Sequence, residues 1–173
     1  MFEDEFGLSY AEPVSFTWAP KGETPQLKRI TKFRREISTM VGLTISGKIY
    51  KRHFEGSINA EKLLIGLEHL MRQIKGPFIL IWDRSPTHRG KVVREFLENH
   101  PNIHVEYLPA YAPELNPEEY CHGNVKRHMK NAVLHSKDEI RSALDRGFAR
   151  LRKRPDTLLG CFQHAGLKVN QLW

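Results

Sequence analysis

The chain has 173 residues, 40% of them hydrophobic, with a formal net charge of +7 and an isoelectric point near 9.5. That is enough for one domain with a sizeable core and too little for two. No apolar run approaches the roughly 18 residues of a membrane helix, the acidic opening Met1-Phe2-Glu3-Asp4-Glu5 is unlike a secretion signal, and two cysteines without metal spacing, Cys121 and Cys161, argue against a disulfide framework or zinc ribbon.

Residues 1–9 contain a short alternating stretch that reads as a strand, followed by a segment punctuated by Pro13, Pro20, Gly22 and Pro25 around Phe16-Thr17-Trp18. From Ile37 to Ile45, apolar residues at period two (Ile37, Val41, Leu43, Ile45, with Thr39) predict a second strand, and Gly47 a turn into a partner strand from Lys48 to Phe54. Asn59 is placed to cap a helix running to about Ile74, with Leu63, Leu64, Leu67, Leu70, Met71 and Ile74 on one face. The run Phe78-Ile79-Leu80-Ile81-Trp82 ends at Asp83 and has the pattern of a strand buried on both faces. Ser85-Pro86 reads as N-cap and first residue of a helix carrying Val92, Val93, Phe96 and Leu97, stopped by Asn99-His100-Pro101. Ile103 to Leu108 predicts a further strand, 109–117 a proline-rich loop, and Asn116 or Pro117 the start of a helix bearing Glu119. Ser136 and Glu139 stand at capping-box spacing before a further helix to about Leu151. The order implies an α/β or α+β domain around a mixed sheet.

The basic balance favours polyanionic partners, chiefly nucleic acid. Cations concentrate at Lys28, Arg29, Lys32, Arg34 and Arg35, and again at Lys126, Arg127, Lys130, Arg150, Arg152, Lys153 and Arg154; acids gather at Glu3-Asp4-Glu5 and at Glu114, Glu118 and Glu119. Acidic knots in a basic chain suggest a metal site on a DNA-facing surface, although solvated charge produces the same pattern. Asp4 lies within the first strand, Asp83 ends a buried one and Glu119 opens a helix. Strand ends in open sheets gather ligand sites, but an aspartate at a strand–helix junction also serves as a turn or cap residue. Carboxylates suit Mg²⁺, which takes oxygen ligands, and two such ions can clamp the attacking and leaving oxygens of a phosphoryl displacement. The sequence has no G-x-S-x-G, P-loop, dinucleotide-binding glycine fingerprint or H-E-x-x-H.

Trp82-Asp83-Arg84-Ser85-Pro86-Thr87-His88 resembles the D-N-x-P-x-H motif of mariner-like DDE transposases. Leu108-Pro109-Ala110-Tyr111-Ala112-Pro113-Glu114-Leu115-Asn116-Pro117-Glu118-Glu119-Tyr120 resembles their L-P-x-Y-S-P-x-L-N-P-I-E motif, which aligns the catalytic acid with Glu119, not Glu118. Phe2-Glu3-Asp4-Glu5 with 18–25 is similar to the opening F-x-D-E … W-x-P-x-G-x-x-P pattern, and thirty-five residues lie between Asp83 and Glu119. The likeness runs from Phe2 to about Asn131, and the branch it resembles most is the bacterial insertion-sequence one.

This resemblance implies an RNase H-like fold, a mixed β-sheet flanked by helices, with 1–173 forming a single catalytic domain that lacks the N-terminal helix-turn-helix region. It implies Asp4, Asp83 and Glu119 as catalytic residues holding two ions, Mg²⁺ or Mn²⁺, for cleavage at transposon ends and strand transfer into target DNA. Arg84, His88, Lys126, Arg127 and Lys130 are the expected DNA contacts. A homodimer on paired ends and a cytoplasmic, nucleoid-associated bacterial location go with this reading. The chain departs from the family pattern at Arg84, where an asparagine is usual, and at His122, where a tryptophan is. An inactive or truncated DNA-binding remnant of a transposase, and a nuclease of the same fold without strand joining, are the competing readings.

Overall fold

Side-chain alternation along β1 (Phe2–Leu8) decides what each face of the protein does. Phe2, Phe6 and Leu8 enter one core cluster, so Asp4 shares their face, while Glu3 and Glu5 point to the other. β2 (Ile37–Leu43) and β3 (Ile49–Glu55) extend the sheet antiparallel on one side. β4 (Phe78–Trp82) and β5 (Ile103–Tyr107) extend it parallel on the other, in the order β3-β2-β1-β4-β5. This computed structural model describes residues 1–11, 14–28, 30 and 34–170. Arg29 and Lys32 of the first basic cluster lie outside the described residues.

Parallel strands need crossovers, supplied by α1 (Ala60–Gln73) before β4 and α2 (Lys91–Glu98) between β4 and β5. Leu63, Leu67 and Leu70 of α1 and Val93 of α2 pack with Met40, Leu80 and Trp82 on one face of the sheet. α3 (Pro117–Arg127), α4 (Lys137–Arg152) and α5 (Pro155–His164) cover the other, placing Val125, Leu144, Phe148 and Phe162 against Phe2, Phe6 and Val41. A mixed sheet between two helical layers is the RNase H-like α/β architecture. Among the described residues no helix is long and apolar enough to cross a membrane.

The predicted helix starts follow their capping chemistry. Asn59 accepts the Lys62 N–H at 3.0 Å, Asn116 the Glu118 N–H at 3.1 Å, and Ser136 the Glu139 N–H at 3.1 Å; each satisfies a backbone donor that the first turn leaves unpaired. Three expectations are corrected. The segment after Asp83 is not yet helix: Asp83 Oδ1 accepts the Ser85 N–H at 2.8 Å and Ser85 Oγ the His88 N–H at 3.3 Å. These local bonds hold a turn, and α2 begins only after Gly90. β4 is not buried on both faces, because Ile79 is half exposed: the contacts of α3 and α4 with the sheet run mainly to β1, β2 and β3. β2 stops at Leu43, leaving Ile45 exposed beyond it. α5 was not anticipated, although Pro155 at its first position and Asp156 in its first turn are start signals.

The C-terminal cations are only in part a free surface. Arg150 donates to Asn124 Oδ1 at 2.7 Å and Arg152 to the Ile49 carbonyl at 2.7 Å, tying α4 to α3 and to β3. α3 and α4 come close at Gly147, where an added Cβ would lie 2.8 Å from Val125 Cγ1. Val125 is β-branched and stiff in a helix. Gly147→Ala gains about 1 kcal/mol of helix propensity but loses about 1–3 kcal/mol to overpacking. A lower midpoint in thermal denaturation is therefore expected; a higher one would show that the two helices separate freely.

Candidate active site

Three elements bring Asp4, Asp83 and Glu119 to the walls of one cleft of about 630 Å³, shared with Arg84, Arg89, Asn116 and the loop 108–113. Asp4 reaches it from the face of β1 that α3 covers, Asp83 from the end of β4, and Glu119 from the first turn of α3. The side chains of Asp83 and Glu119 are about half exposed, whereas Asp4 lies deeper, at 15%. Asn116, the cap of α3, reaches back from there to the Glu3 carbonyl and to Asp4 Oδ2, both at 3.4 Å. The helix start and the strand are thereby joined at the cleft.

Each outer carboxylate is held by a buried histidine. The Nδ1 of His88 faces Asp83 Oδ1 at 2.7 Å and the Asp83 carbonyl at 3.1 Å. Its Nε2 faces Glu5 Oε1 at 3.3 Å, and its ring stacks on Trp82 with centroids 4.2 Å apart. His122 Nε2 meets Glu119 Oε2 at 2.9 Å and its Nδ1 meets Glu118 Oε2 at 2.6 Å, with the ring stacked on Phe6. Glu118 does not line the cleft. It is fully buried and acts on the site through His122.

The electrostatics follow from burial against pairing. Burial lifts the Asp4 carboxyl to about 8, helped by the Glu118 charge and opposed by His122; burial likewise lifts Glu118 to about 7. Burial alone would lower His88, but its bonds to Asp83 and Glu5 and the charges of Glu3 and Glu5 raise it to about 11. His122 rises to about 10 against the same opposition, through Glu118, Glu119 and Asp4. The bond from His88 pulls Asp83 down, and the bond from His122 does the same to Glu119. The cleft thus holds two readily ionised carboxylates around one that resists ionisation until another cation arrives.

The expected DNA contacts separate into different settings. Arg84 borders the cleft, donating from Nε to the Leu108 carbonyl at 3.3 Å with its guanidinium over the Tyr107 ring. His88, among the expected DNA contacts, is 1% exposed and holds Asp83 from behind. Lys126 Nζ lies 5.0 Å over the Phe6 ring, Arg127 borders a separate groove between α3 and α5, and Lys130 is exposed. Sequence reasoning missed the Glu118–His122–Glu119 arrangement and Arg89. The spacing of His122, four after Glu118 and three after Glu119, was the available signal, since such residues are neighbours on a helix. Among the described residues, two groups bring three metal-ligating atoms within 4.8 Å of one another: Asp4, Glu119 and His122 at the cleft, and Glu3, Glu5 and His88 on the opposite side of β1.

A protein-family comparison matches residues 1–141 to the family described as DDE superfamily endonuclease. No curated protein matches the sequence. Among solved structures, the chain is similar to one described as the Mos1 mariner paired end complex with Mn, with a TM-score of 0.67 and 20% identity over 98% of this chain and 56% of that one. A pre-cleavage Mos1 transpososome gives 0.66 and 21% over 98% and 56%, and the catalytic domain of Mos1 mariner transposase gives 0.60 and 20% over 98% and 83%. At these identities the likeness is one of fold, and the chain spans little more than half the length of the chains in the paired-end and transpososome structures.

Proposed function

Since the chain belongs to the DDE superfamily endonuclease family, we propose that it is the catalytic domain of a transposase that cuts DNA at transposon ends and joins the freed 3′-hydroxyl to target DNA. The observation that carries this reading is the arrival of Asp4, Asp83 and Glu119 at one cleft from β1, the end of β4 and the start of α3. Their oxygens are the donor type that hard divalent ions take, and two carboxylates are held ionised by histidines while facing the cleft. Asp4, Asp83 and Glu119 would hold two ions, Mg²⁺ or Mn²⁺, which when bound supply Lewis-acid stabilisation of the phosphoryl oxygens. His88 and His122 position the carboxylates, and Arg84, Arg89 and Lys126 offer cations for phosphate. The names of the similar structures support the rest: they describe complexes with Mn and with Mg, paired ends and strand transfer. The chain itself is proposed to act as one catalytic domain, as a homodimer on paired ends. Its sequence motifs favour a bacterial insertion-sequence element working at the nucleoid.

The test is a cleavage and strand-transfer assay on DNA carrying the ends of the element that encodes the chain, with Mg²⁺, Mn²⁺ or chelator. Metal-dependent nicking followed by joining to target DNA is expected, and cleavage unaffected by chelator would sink the two-metal reading. DNA binding should weaken steeply with salt, each neutralised phosphate adding about 0.9 to the log–log slope.

Metal affinity should depend on pH in one direction. Below about 8 Asp4 holds a proton that the ion must displace, so affinity rises with pH by up to about tenfold per unit and levels off above 8. Calorimetric titrations in two buffers of different ionisation enthalpy check this. Equal heats at pH 6.5 would show that no proton is released.

A further inference from the structure

Opposite the cleft, β1 buries two more acids. Glu3 is fully buried, and neither of its carboxylate oxygens has a hydrogen-bond partner. A carboxylate held out of water without a hydrogen bond is among the costliest features a fold can carry. Its Oε2 lies 3.8 Å from His88 Nε2, and Glu5 Oε1 lies 3.3 Å from the same nitrogen. The three ligand atoms stand within 4.8 Å of one another, and the two distances to His88 Nε2, 3.8 and 3.3 Å, compare with the roughly 3.4 Å edges of a tetrahedron built from metal–ligand bonds of about 2.1 Å. The outer nitrogen of His88 is taken by Asp83 at 2.7 Å. That fixes the ring and leaves Nε2 aimed at the two glutamates, the carboxylate–histidine arrangement that orients imidazole ligands in metal sites. Stacking on Trp82 at an interplanar angle of 4° holds the ring plane. The Glu5 side chain, 21% exposed, leaves a route for an ion to enter.

We propose that Glu3, Glu5 and His88 form a second metal site, which takes one divalent transition-metal ion (Mn²⁺, Co²⁺ or Zn²⁺) behind Asp83 and apart from the ions of the cleft. Once the ion has displaced the proton from His88 Nε2, two carboxylates and a neutral imidazole carry a charge of −2 that one such ion neutralises. An imidazole among the donors favours these ions over Mg²⁺. With the ion in place, His88 donates its remaining proton to Asp83, so the site braces the carboxylate at the end of β4. The assignment rests on the Glu3, Glu5 and His88 geometry and goes beyond the transposase reading.

The experiment disables the cleft and counts what remains. Co²⁺ is titrated into full-length Asp4→Asn/Glu119→Gln protein, read by calorimetry and by the visible ligand-field bands of the ion. One equivalent should bind and raise the melting temperature. Adding Glu3→Gln or Glu5→Gln should weaken that equivalent by about a hundredfold or more and change the bands. Glu3→Gln keeps the shape of the side chain and removes a buried charge, so it should fold, and its melting temperature without metal reports this. In the otherwise unaltered chain, Glu3→Gln should lose one Co²⁺ equivalent and keep Mg²⁺ binding at the cleft. The proposal is overturned if the cleft-disabled protein binds no Co²⁺, or if its equivalent survives both glutamine substitutions. A Glu3→Gln protein that melts higher but binds Co²⁺ like its parent would show that Glu3 is neutralised by a proton instead. Because Co²⁺ stoichiometry is read without DNA, failure here is distinct from failure of the cleavage assay.

Discussion

Asp4→Asn is expected to lower metal-dependent cleavage by about a hundredfold or more, the scale of losing a strong transition-state contact, and at the same time to raise the melting temperature of the metal-free protein. The first effect follows from removing an anionic oxygen at the floor of the cleft. The second follows from the sign of the shift at Asp4, whose carboxyl is lifted from 3.8 to about 8 by burial and by Glu118. A carboxyl raised in the folded state disfavours folding once it ionises. Stability of the metal-free parent therefore declines as pH climbs from about 4 towards 8, and the decline is complete above 8. The asparagine variant has no such charge. Its advantage should widen over that window to a few kcal/mol, roughly 1.4 kcal/mol per pH unit at most, and stay constant beyond it. Mg²⁺ should narrow the gap by stabilising the parent alone. Thermal melts from pH 5 to 9, with and without Mg²⁺, measure both effects; a variant that cuts DNA normally, or melts below its parent at pH 8 without metal, contradicts the assignment.

Glu119→Gln and Glu118→Gln remove equal charge from adjacent positions and should behave differently. Glu119 faces the cleft, so its glutamine should cost cleavage about a hundredfold or more. Glu118 lies outside the cleft and touches it only through His122, so its glutamine should stay within roughly tenfold of the parent. It should also move the rise of metal affinity to lower pH, because it removes the like charge that helps raise Asp4. Cleavage lost with Glu118→Gln but kept with Glu119→Gln would place the catalytic acid one residue earlier. Asp83→Asn should lower cleavage by about a hundredfold or more, like Glu119→Gln, but without the gain in stability foreseen for Asp4→Asn. Asp83 is not crowded by other acids; it is paired with His88.

Much of this was legible in the sequence because it depends on neighbours along the chain. Period-two alternation marked β2, the i, i+3, i+4 apolar pattern marked α1, and Asn59, Asn116 and Ser136 marked helix starts through bonds spanning two or three residues. Ordered motifs singled out Asp4, Asp83 and Glu119, and the parity of β1 already separates Asp4 from Glu3 and Glu5. Tertiary structure decided what surrounds those acids. Spacing shows that Glu118, Glu119 and His122 share a turn of helix, but not that α3 lies against β1 so that Glu118 is sealed from water and Asp4 is pushed towards neutrality. It shows His88 five residues after Asp83, but not that packing on Trp82 turns the ring inward to Glu3 and Glu5, eighty-odd residues away. The reason is physical: the free energy of a charge depends on its exposure to water and on every charge near it in space, and both are set only when the two helical layers close on the sheet.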